Sequence, residues 1–164
     1  MIGDRTTPGR VIRSVLPAEV EQVVALHARA RATYYPDGVP QDGTDWLAAW
    51  RNALTRPDGR VLCVVEAGRI VGLASFRTPE DAPRDVVKLY QFHVDPGRWR
   101  RGVGGALHAA CVEEWRADGR RTAVLEVHAG NRRAQDFYRR QGWDPEPARP
   151  GDHHLRMRLA LPAE

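Results

Sequence analysis

The segment that most constrains the fold runs from residue 86 to residue 128. It contains a long apolar strand over 86–94, a turn with several glycines, an amphipathic helix over 103–117 and a second strand over 122–128. A strand, a helix and a strand in this order form a crossover, which joins parallel strands and is almost always right-handed. The segment therefore predicts one parallel strand pair with a helix packed against the sheet.

The remaining segments predict antiparallel strands and further helices. Short apolar segments predict strands over 11–15, 61–67, 69–77 and 153–160, and Gly68 predicts a hairpin. Helical spacing predicts helices over 17–32, 45–54 and 131–140, with Thr44 as the N-cap of the second and Gly142 ending the third. The fold class is therefore α/β in the mixed α+β sense, with a mostly antiparallel central sheet of six to seven strands and helices on both faces.

Length and hydropathy predict a single domain. The chain has 164 residues, so we expect one domain over 1–164, with residues 1–9 as a flexible terminus. No apolar run approaches the length of a membrane span, and the first residues lack the apolar region of a secretory signal. We therefore expect a cytoplasmic protein without a membrane partner, in which Cys63 and Cys111 are buried free thiols.

The net charge of +4 favours an anionic partner. Nucleic acid, an acidic membrane and a phosphorylated cofactor would all satisfy that preference. A nucleic-acid interface requires basic residues clustered on one face with interleaved aromatic residues. The arginines are instead spread through every segment, so we expect no nucleic-acid partner.

The glycines before the predicted helix over 103–117 indicate a phosphate site. Backbone N–H groups at a helix N-terminus attract anions, and glycines let a phosphate approach the backbone. Gly102, Gly104 and Gly105 supply that backbone, and Arg100 and Arg101 add positive charge. The alternative is that these glycines only permit a tight turn. The pattern is neither a Walker A loop nor a dinucleotide-binding fingerprint.

A second motif follows in residues 125–143, with Asn131, Ala134, Phe137, Tyr138 and Gly142 at fixed spacing. Together the two segments resemble the GNAT superfamily of N-acetyltransferases. The stretch Leu-Glu-Val-x-Ala-x-Asn over 125–131 is similar to that of ribosomal-protein N-terminal acetyltransferases. The chain departs from the family at Trp99, where a Gln or Arg usually contributes to binding the pyrophosphate.

The resemblance implies a cosubstrate, a reaction and a set of site residues. It implies direct transfer of an acetyl group from acetyl-CoA, in a ternary complex and without a metal, to a primary amine of a small molecule or a peptide N-terminus. The alternative is a catalytically weak, GNAT-like module that binds acyl-CoA. The cofactor-binding residues that it implies are Phe92, His93, Val94, Arg100, Arg101, Gly102, Val103, Gly104, Gly105, Ala106, Asn131 and Tyr138.

Three residues are candidates for proton transfer. By the resemblance, Tyr138 is the general acid for the leaving thiolate, although it could be only a half-buried aromatic residue. Glu126 is the leading base, because a carboxylate inside a central strand would otherwise be a costly buried charge. Its alternative role is a structural pair with an arginine. His93 is the second candidate base, since an ordinary histidine pKa is about 6.5.

The acceptor site and the assembly are less defined by the sequence. The resemblance places the acceptor near the loop over 34–43, where Tyr34, Tyr35 and two aspartates would suit a cationic amine. An ordinary surface loop with packed tyrosines is the alternative. His153 and His154 point to opposite faces of a strand, so they are a poor chelating pair. A homodimer through the last strand is compatible with the sequence.

Overall fold

The computed structural model describes residues 9–40 and 42–163. Residues 1–8 of the predicted flexible terminus lie outside the described residues. The strands are β1 (Arg10–Ser14), β2 (Gly59–Glu66), β3 (Arg69–Arg77), β4 (Val86–Val94), β5 (Thr122–His128), β6 (Asp144–Pro145) and β7 (His154–Ala160). The helices are α1 (Val20–Ala32), α2 (Trp46–Thr55), α3 (Val103–Ala117) and α4 (Arg132–Arg140), with short 3-10 turns at Pro17–Glu19 and Pro96–Arg98.

The strands form a seven-stranded sheet in the order β1-β2-β3-β4-β5-β7-β6. β4 and β5 are parallel, with Val86 opposite Thr122, as the predicted crossover requires. The pairs β1–β2, β5–β7 and β7–β6 are antiparallel. The prediction of a mixed, mostly antiparallel sheet of six to seven strands is therefore confirmed. The two-residue strand β6 was not predicted, because two residues carry no periodicity.

The chain divides into two compact units. The first contains the described residues up to Phe76 together with Gln91–Cys111. Its core contains Val23 and Leu26 of α1, Trp50 of α2 and Leu73 of β3, all nearly inaccessible to solvent. The sequence prediction of Thr44 as the cap of α2 is wrong. Asp45 is the N-cap, and its side chain accepts a hydrogen bond from the amide of Ala48 at 3.0 Å.

The second unit contains Arg77–Tyr90 and the described residues from Val112 onward. Leu125 of β5 and Met157 of β7 lie opposite each other in the sheet and are both buried. Trp115 and Trp143 pack edge to face, with ring centroids 6.3 Å apart. Gly142 follows α4 with a φ of 100°, which confirms the predicted glycine end of that helix. The single domain over 1–164 stays a prediction.

Two further features are absent from the described residues. No helix there is long and apolar enough to span a bilayer. No three His, Cys, Asp or Glu side chains there are grouped as metal ligands.

Candidate functional site

The N-terminus of α3 presents a set of backbone donors. The first helical hydrogen bond of α3 runs from the amide of Ala106 to the carbonyl of Gly102, at 3.1 Å. The amides of Val103, Gly104 and Gly105 precede that bond, so they have no acceptor within the helix. These three amides and the positive end of the helix dipole form an arrangement that binds anions.

Two glycines of this segment have different structural roles. Gly102 has a φ of 80°, in the left-handed region, so the turn itself requires a glycine there. Gly105 has no such requirement, and a Cβ built on it would meet no described atom within 4 Å. The packing of the protein therefore leaves open space above Gly105, next to the donor amides. Such a cradle fits a diphosphate, which needs close approach to the backbone.

Arg10 braces the loop that precedes α3. Its guanidinium donates to the carbonyl of Arg101 at 2.9 Å and to that of Gly102 at 3.5 Å. The same guanidinium pairs with Glu66 of β2 at 2.6 Å, and Arg98 lies 3.7 Å from the other oxygen of Glu66. The loop backbone is thus tied to β1 and β2. Sequence analysis missed Arg10, because no local pattern connects residues 91 positions apart.

Trp99, the departure from the family pattern, has its indole N–H engaged with the backbone. It donates to the carbonyl of Val94 at 3.2 Å, and an indole has only that one donor. The neighbouring Arg100 and Arg101 are exposed, and Arg100 has a φ of 64°. The side-chain positive charge nearest the donor amides in sequence is therefore that of these two arginines.

His93 lies in a cluster of rings at the end of β4. Its Nε2 is 2.7 Å from Oε1 of Gln91, and its ring centroid is 4.6 Å from that of His27. Burial, followed by the nearby charges of His27 and Arg31, lowers the pKa of His93 well below its ordinary value. The prediction that an ordinary histidine pKa suits His93 to proton acceptance is therefore wrong. His93 is neutral at pH 7 and accepts a proton weakly.

His27 is one of the groups that lower the pKa of His93. It is almost fully buried, and its Nδ1 accepts a hydrogen bond from the indole of Trp50 at 3.1 Å. Burial and, to a lesser extent, the charge of Arg31 lower the pKa of His27 to about 4. Phe92 and Val94, the neighbours of His93 on β4, are partly buried.

Glu126 is accessible to solvent, contrary to the expectation of a buried charge. Its side chain is 45% exposed, and Nζ of Lys88 lies 3.4 Å from its Oε1. Arg156 is directly opposite on β7, but its Nε contacts Glu146 at 3.2 Å. The alternative role as the partner of an arginine is therefore not observed; the partner is a lysine. The ladder between β4 and β5 ends at Leu89 and Leu125, one residue before Glu126.

The turn from β5 into α4 positions Asn131 and Tyr138. Asn131 is the N-cap of α4, and its Oδ1 accepts a hydrogen bond from the amide of Ala134 at 3.2 Å. Gln135 donates to the carbonyls of His128 and Ala129, at 3.1 and 2.9 Å, and so fixes the turn. Tyr138 is buried, with its ring centroid 5.8 Å from that of Trp143. Its ring is therefore held by packing.

The loop over 34–43 contains packed tyrosines. The rings of Tyr34 and Tyr35 are 5.0 Å apart, and burial raises the pKa of Tyr34. The guanidinium carbon of Arg31 is 6.0 Å from the centroid of Tyr35 and 4.8 Å from that of Trp46. A cation already lies beside these rings, and the acceptor role of the loop stays a prediction.

Two solved structures with similar folds are named as N-acetyltransferases. The PaiA N-acetyltransferase from Thermoplasma acidophilum, in complex with coenzyme A, has a TM-score of 0.77 at 14% identity over 92% of this chain and 98% of that one. The ribosomal-protein-S18-alanine N-acetyltransferase from Escherichia coli has a TM-score of 0.73 at 21% identity over 93% of this chain and 94% of that one. At such identities the likeness shows the fold alone.

Two proteins related in sequence are also named as acetyltransferases. Mycothiol acetyltransferase from Propionibacterium freudenreichii is 27% identical over 157 residues, 89% of this chain and 49% of that protein. The chain therefore spans about half the length of that relative. An uncharacterized N-acetyltransferase from Methanocaldococcus jannaschii is 36% identical over 61 residues, 37% of this chain and 27% of that protein. The family model of the acetyltransferase (GNAT) family matches residues 23–143, most of the chain, and the protein therefore belongs to that family.

Proposed function

We propose that this protein transfers an acetyl group from acetyl-CoA to a primary amine of a small molecule or a peptide N-terminus, by direct attack in a ternary complex. The observation that carries the proposal is the donor array of α3 beneath the open space at Gly105, in a chain of the GNAT family. Acetyl-CoA supplies the acetyl group as a thioester, which is already activated for acyl transfer.

In this proposal, residues of β4 and of the N-terminal end of α3 bind acetyl-CoA. The amides of Val103, Gly104 and Gly105, with Gly102 shaping the turn, hold the diphosphate, and Arg100 and Arg101 add charge. The backbone over Phe92, His93 and Val94 provides the donor for the thioester carbonyl. Asn131 of the second unit contacts the pantetheine arm through polar atoms that its capping bond leaves available.

Glu126 and Tyr138 manage the protons. A carbon–nitrogen bond forms and a carbon–sulfur bond breaks, while the amine loses a proton and the departing thiolate gains one. Glu126 is the proposed acceptor, because its carboxylate is exposed to solvent and has a single lysine contact among the described residues. Tyr138 is the proposed donor to sulfur, since its packed ring cannot swing away. His93 is the poorer base because its pKa is low.

The comparisons support this assignment. One neighbour of the same fold is named for acetylation of an alanine of a ribosomal protein. Another neighbour was solved with coenzyme A. The curated relative named for mycothiol acetylation indicates a small-molecule acceptor instead. Both acceptor classes therefore belong in the test.

A thermal-shift titration with acetyl-CoA and CoA tests the proposal, with ATP and NAD as controls. Ligand at 100 times its Kd stabilises the fold by about 2.7 kcal/mol, so a rise in Tm is expected with acetyl-CoA and CoA only. Release of free CoA thiol is then measured with small amines and peptides. Equal shifts with ATP, or none with acetyl-CoA, would contradict the proposed cosubstrate.

A second candidate function is a module that binds acyl-CoA with weak catalysis. It is favoured by Trp99, which stands where the family usually has a Gln or Arg and whose single side-chain donor is used by the carbonyl of Val94. The two functions differ in one measurement. A binding module shows the thermal shift with acetyl-CoA but releases no thiol with any amine or peptide.

A further inference from the structure

A cluster of two cations around one ring lies beside Glu126 in the second unit. The guanidinium carbon of Arg77 is 4.3 Å from the centroid of Tyr90, and Nζ of Lys88 is 4.9 Å from the same centroid. Lys88 also contacts Glu126, at 3.4 Å. We call Arg77, Lys88 and Tyr90 the Tyr90 cluster. The cluster contacts Glu126, the proposed base, through the ion pair of Lys88.

Arg77 has an unmet hydrogen-bonding requirement. Its Nη1 is buried and has no hydrogen-bond partner among the described residues. A buried donor without an acceptor costs free energy, on the order of 1–3 kcal/mol, and such groups are rare. Movement of this guanidinium toward an anion would break no hydrogen bond at Nη1, and would provide the missing acceptor.

The contact between Lys88 and Glu126 is readily exchanged. Both charged groups are partly accessible, with side chains 21% and 45% exposed, and such ion pairs contribute little to stability. Arg156, which lies opposite Glu126 on β7, is paired with another carboxylate. Glu146 contacts both Arg156 and Arg158, at 3.2 and 3.8 Å. Among the described residues, the carboxylate contact of Lys88 is thus this readily exchanged one with Glu126, and Nη1 of Arg77 has no hydrogen-bond partner.

We propose that the acceptor is a small zwitterionic amine, one that carries a carboxylate or phosphate within a few bonds of its amino group. Its amino group takes the place of Lys88 at Glu126, and its anionic group binds Lys88 and Arg77. Each charge of the present ion pair then has a new partner of opposite sign. This inference rests on the proposed acetyl transfer and narrows its acceptor; a peptide N-terminus has no neighbouring carboxylate of its own backbone.

The test compares acceptors that differ only in the anionic group. Glycine, β-alanine and γ-aminobutyrate are each paired with their amides, and O-phosphoethanolamine is paired with ethanolamine. CoA release is measured with the wild-type chain, Arg77→Gln, Arg77→Lys and Lys88→Gln. Arg158→Gln is the matched control, since Arg158 contacts Glu146 rather than the Tyr90 cluster.

We expect at least one anionic acceptor to exceed its neutral partner about tenfold or more in kcat/KM, because hydrogen bonds to charged groups are worth that factor. Arg77→Gln should raise KM for that acceptor about tenfold and leave kcat and the neutral partner nearly unchanged. Arg77→Lys should restore part of the loss, and Arg158→Gln should behave as wild type. The carboxylate and phosphate pairs separate the two sources of anion.

A binding measurement separates this inference from the proposed function. Titration calorimetry in the presence of CoA, with the same paired amines, detects the preference for an anion even if no acetyl group is transferred. Saturable binding of an anionic member that Arg77→Gln weakens supports the Tyr90 cluster, with or without turnover. Transfer that favours neutral amines or peptides, with no effect of Arg77→Gln or Lys88→Gln, overturns it and leaves acetyl transfer standing.

Discussion

Substitution of Gly105 by alanine should have opposite effects on stability and on CoA binding. The added Cβ meets no described atom within 4 Å. Gly105 lies in the first turn of α3, and its φ is not in the left-handed region, so alanine can adopt the same backbone conformation. Alanine is favoured over glycine in helices by about 0.5–1 kcal/mol. For a chain of this size, that free energy raises Tm by about 1–4 °C. The ligand-free variant should therefore be more stable than the wild type.

The same methyl group should weaken binding of CoA. It occupies the space that a diphosphate needs above the amides of α3, and loss of one charge-assisted hydrogen bond costs about 1.5–3 kcal/mol. The Kd for CoA should therefore rise at least about tenfold. Thermal denaturation without ligand and titration calorimetry with CoA measure the two effects separately.

A matched control lies in the same helix. Ala109 is exposed on α3, so Ala109→Gly should lower the free energy of unfolding by about 1 kcal/mol and leave the Kd for CoA unchanged. An unchanged Kd in Gly105→Ala would refute the placement of the diphosphate. A lower Tm in ligand-free Gly105→Ala would refute the inference that the space is open.

Three further predictions concern protons. Tyr138→Phe should lower kcat about 100-fold with a Kd for CoA within about twofold of wild type, and equal turnover would remove Tyr138 as the acid. Glu126→Gln should lower kcat about 100-fold in the assay of CoA release, and a kcat within about twofold of wild type would remove Glu126 as the base. Because burial lowers the pKa of His27 to about 4, the unfolded state binds more protons between pH 6.5 and 4. Stability should therefore fall by up to about 3 kcal/mol as the pH drops through that range, and His27→Gln should show a smaller fall in chemical denaturation.

Local patterns in the sequence predict the elements that position the site. The periods of β4, α3 and β5 predict their bounds because apolar alternation and helical spacing are properties of neighbouring residues. The end of α4 is also predictable, since Gly142 is in the left-handed region that glycine tolerates. Asp45 and Thr44 are both good capping residues, so sequence alone does not distinguish them.

The electrostatic features of the site depend on residues distant in sequence. The low pKa of His93 reflects burial and its contact with His27, and sequence contains neither. The exposure of Glu126 depends on what covers the face of β5, which alternation along one strand does not reveal. Lys88 is its partner because β4 and β5 lie side by side in one register.

The brace from Arg10 to the loop before α3 has a thermodynamic consequence. β1 is the first strand in the order of the sheet, and edge strands open locally more readily than central ones. When β1 opens, the carbonyls of Arg101 and Gly102 lose their donor, and the loop gains freedom. Coupling between two sites is reciprocal, so a ligand that orders the loop slows hydrogen exchange of the amides in β1 by the same free energy. Exchange at this strand thus becomes a measure of occupancy at a loop 91 residues farther along the chain.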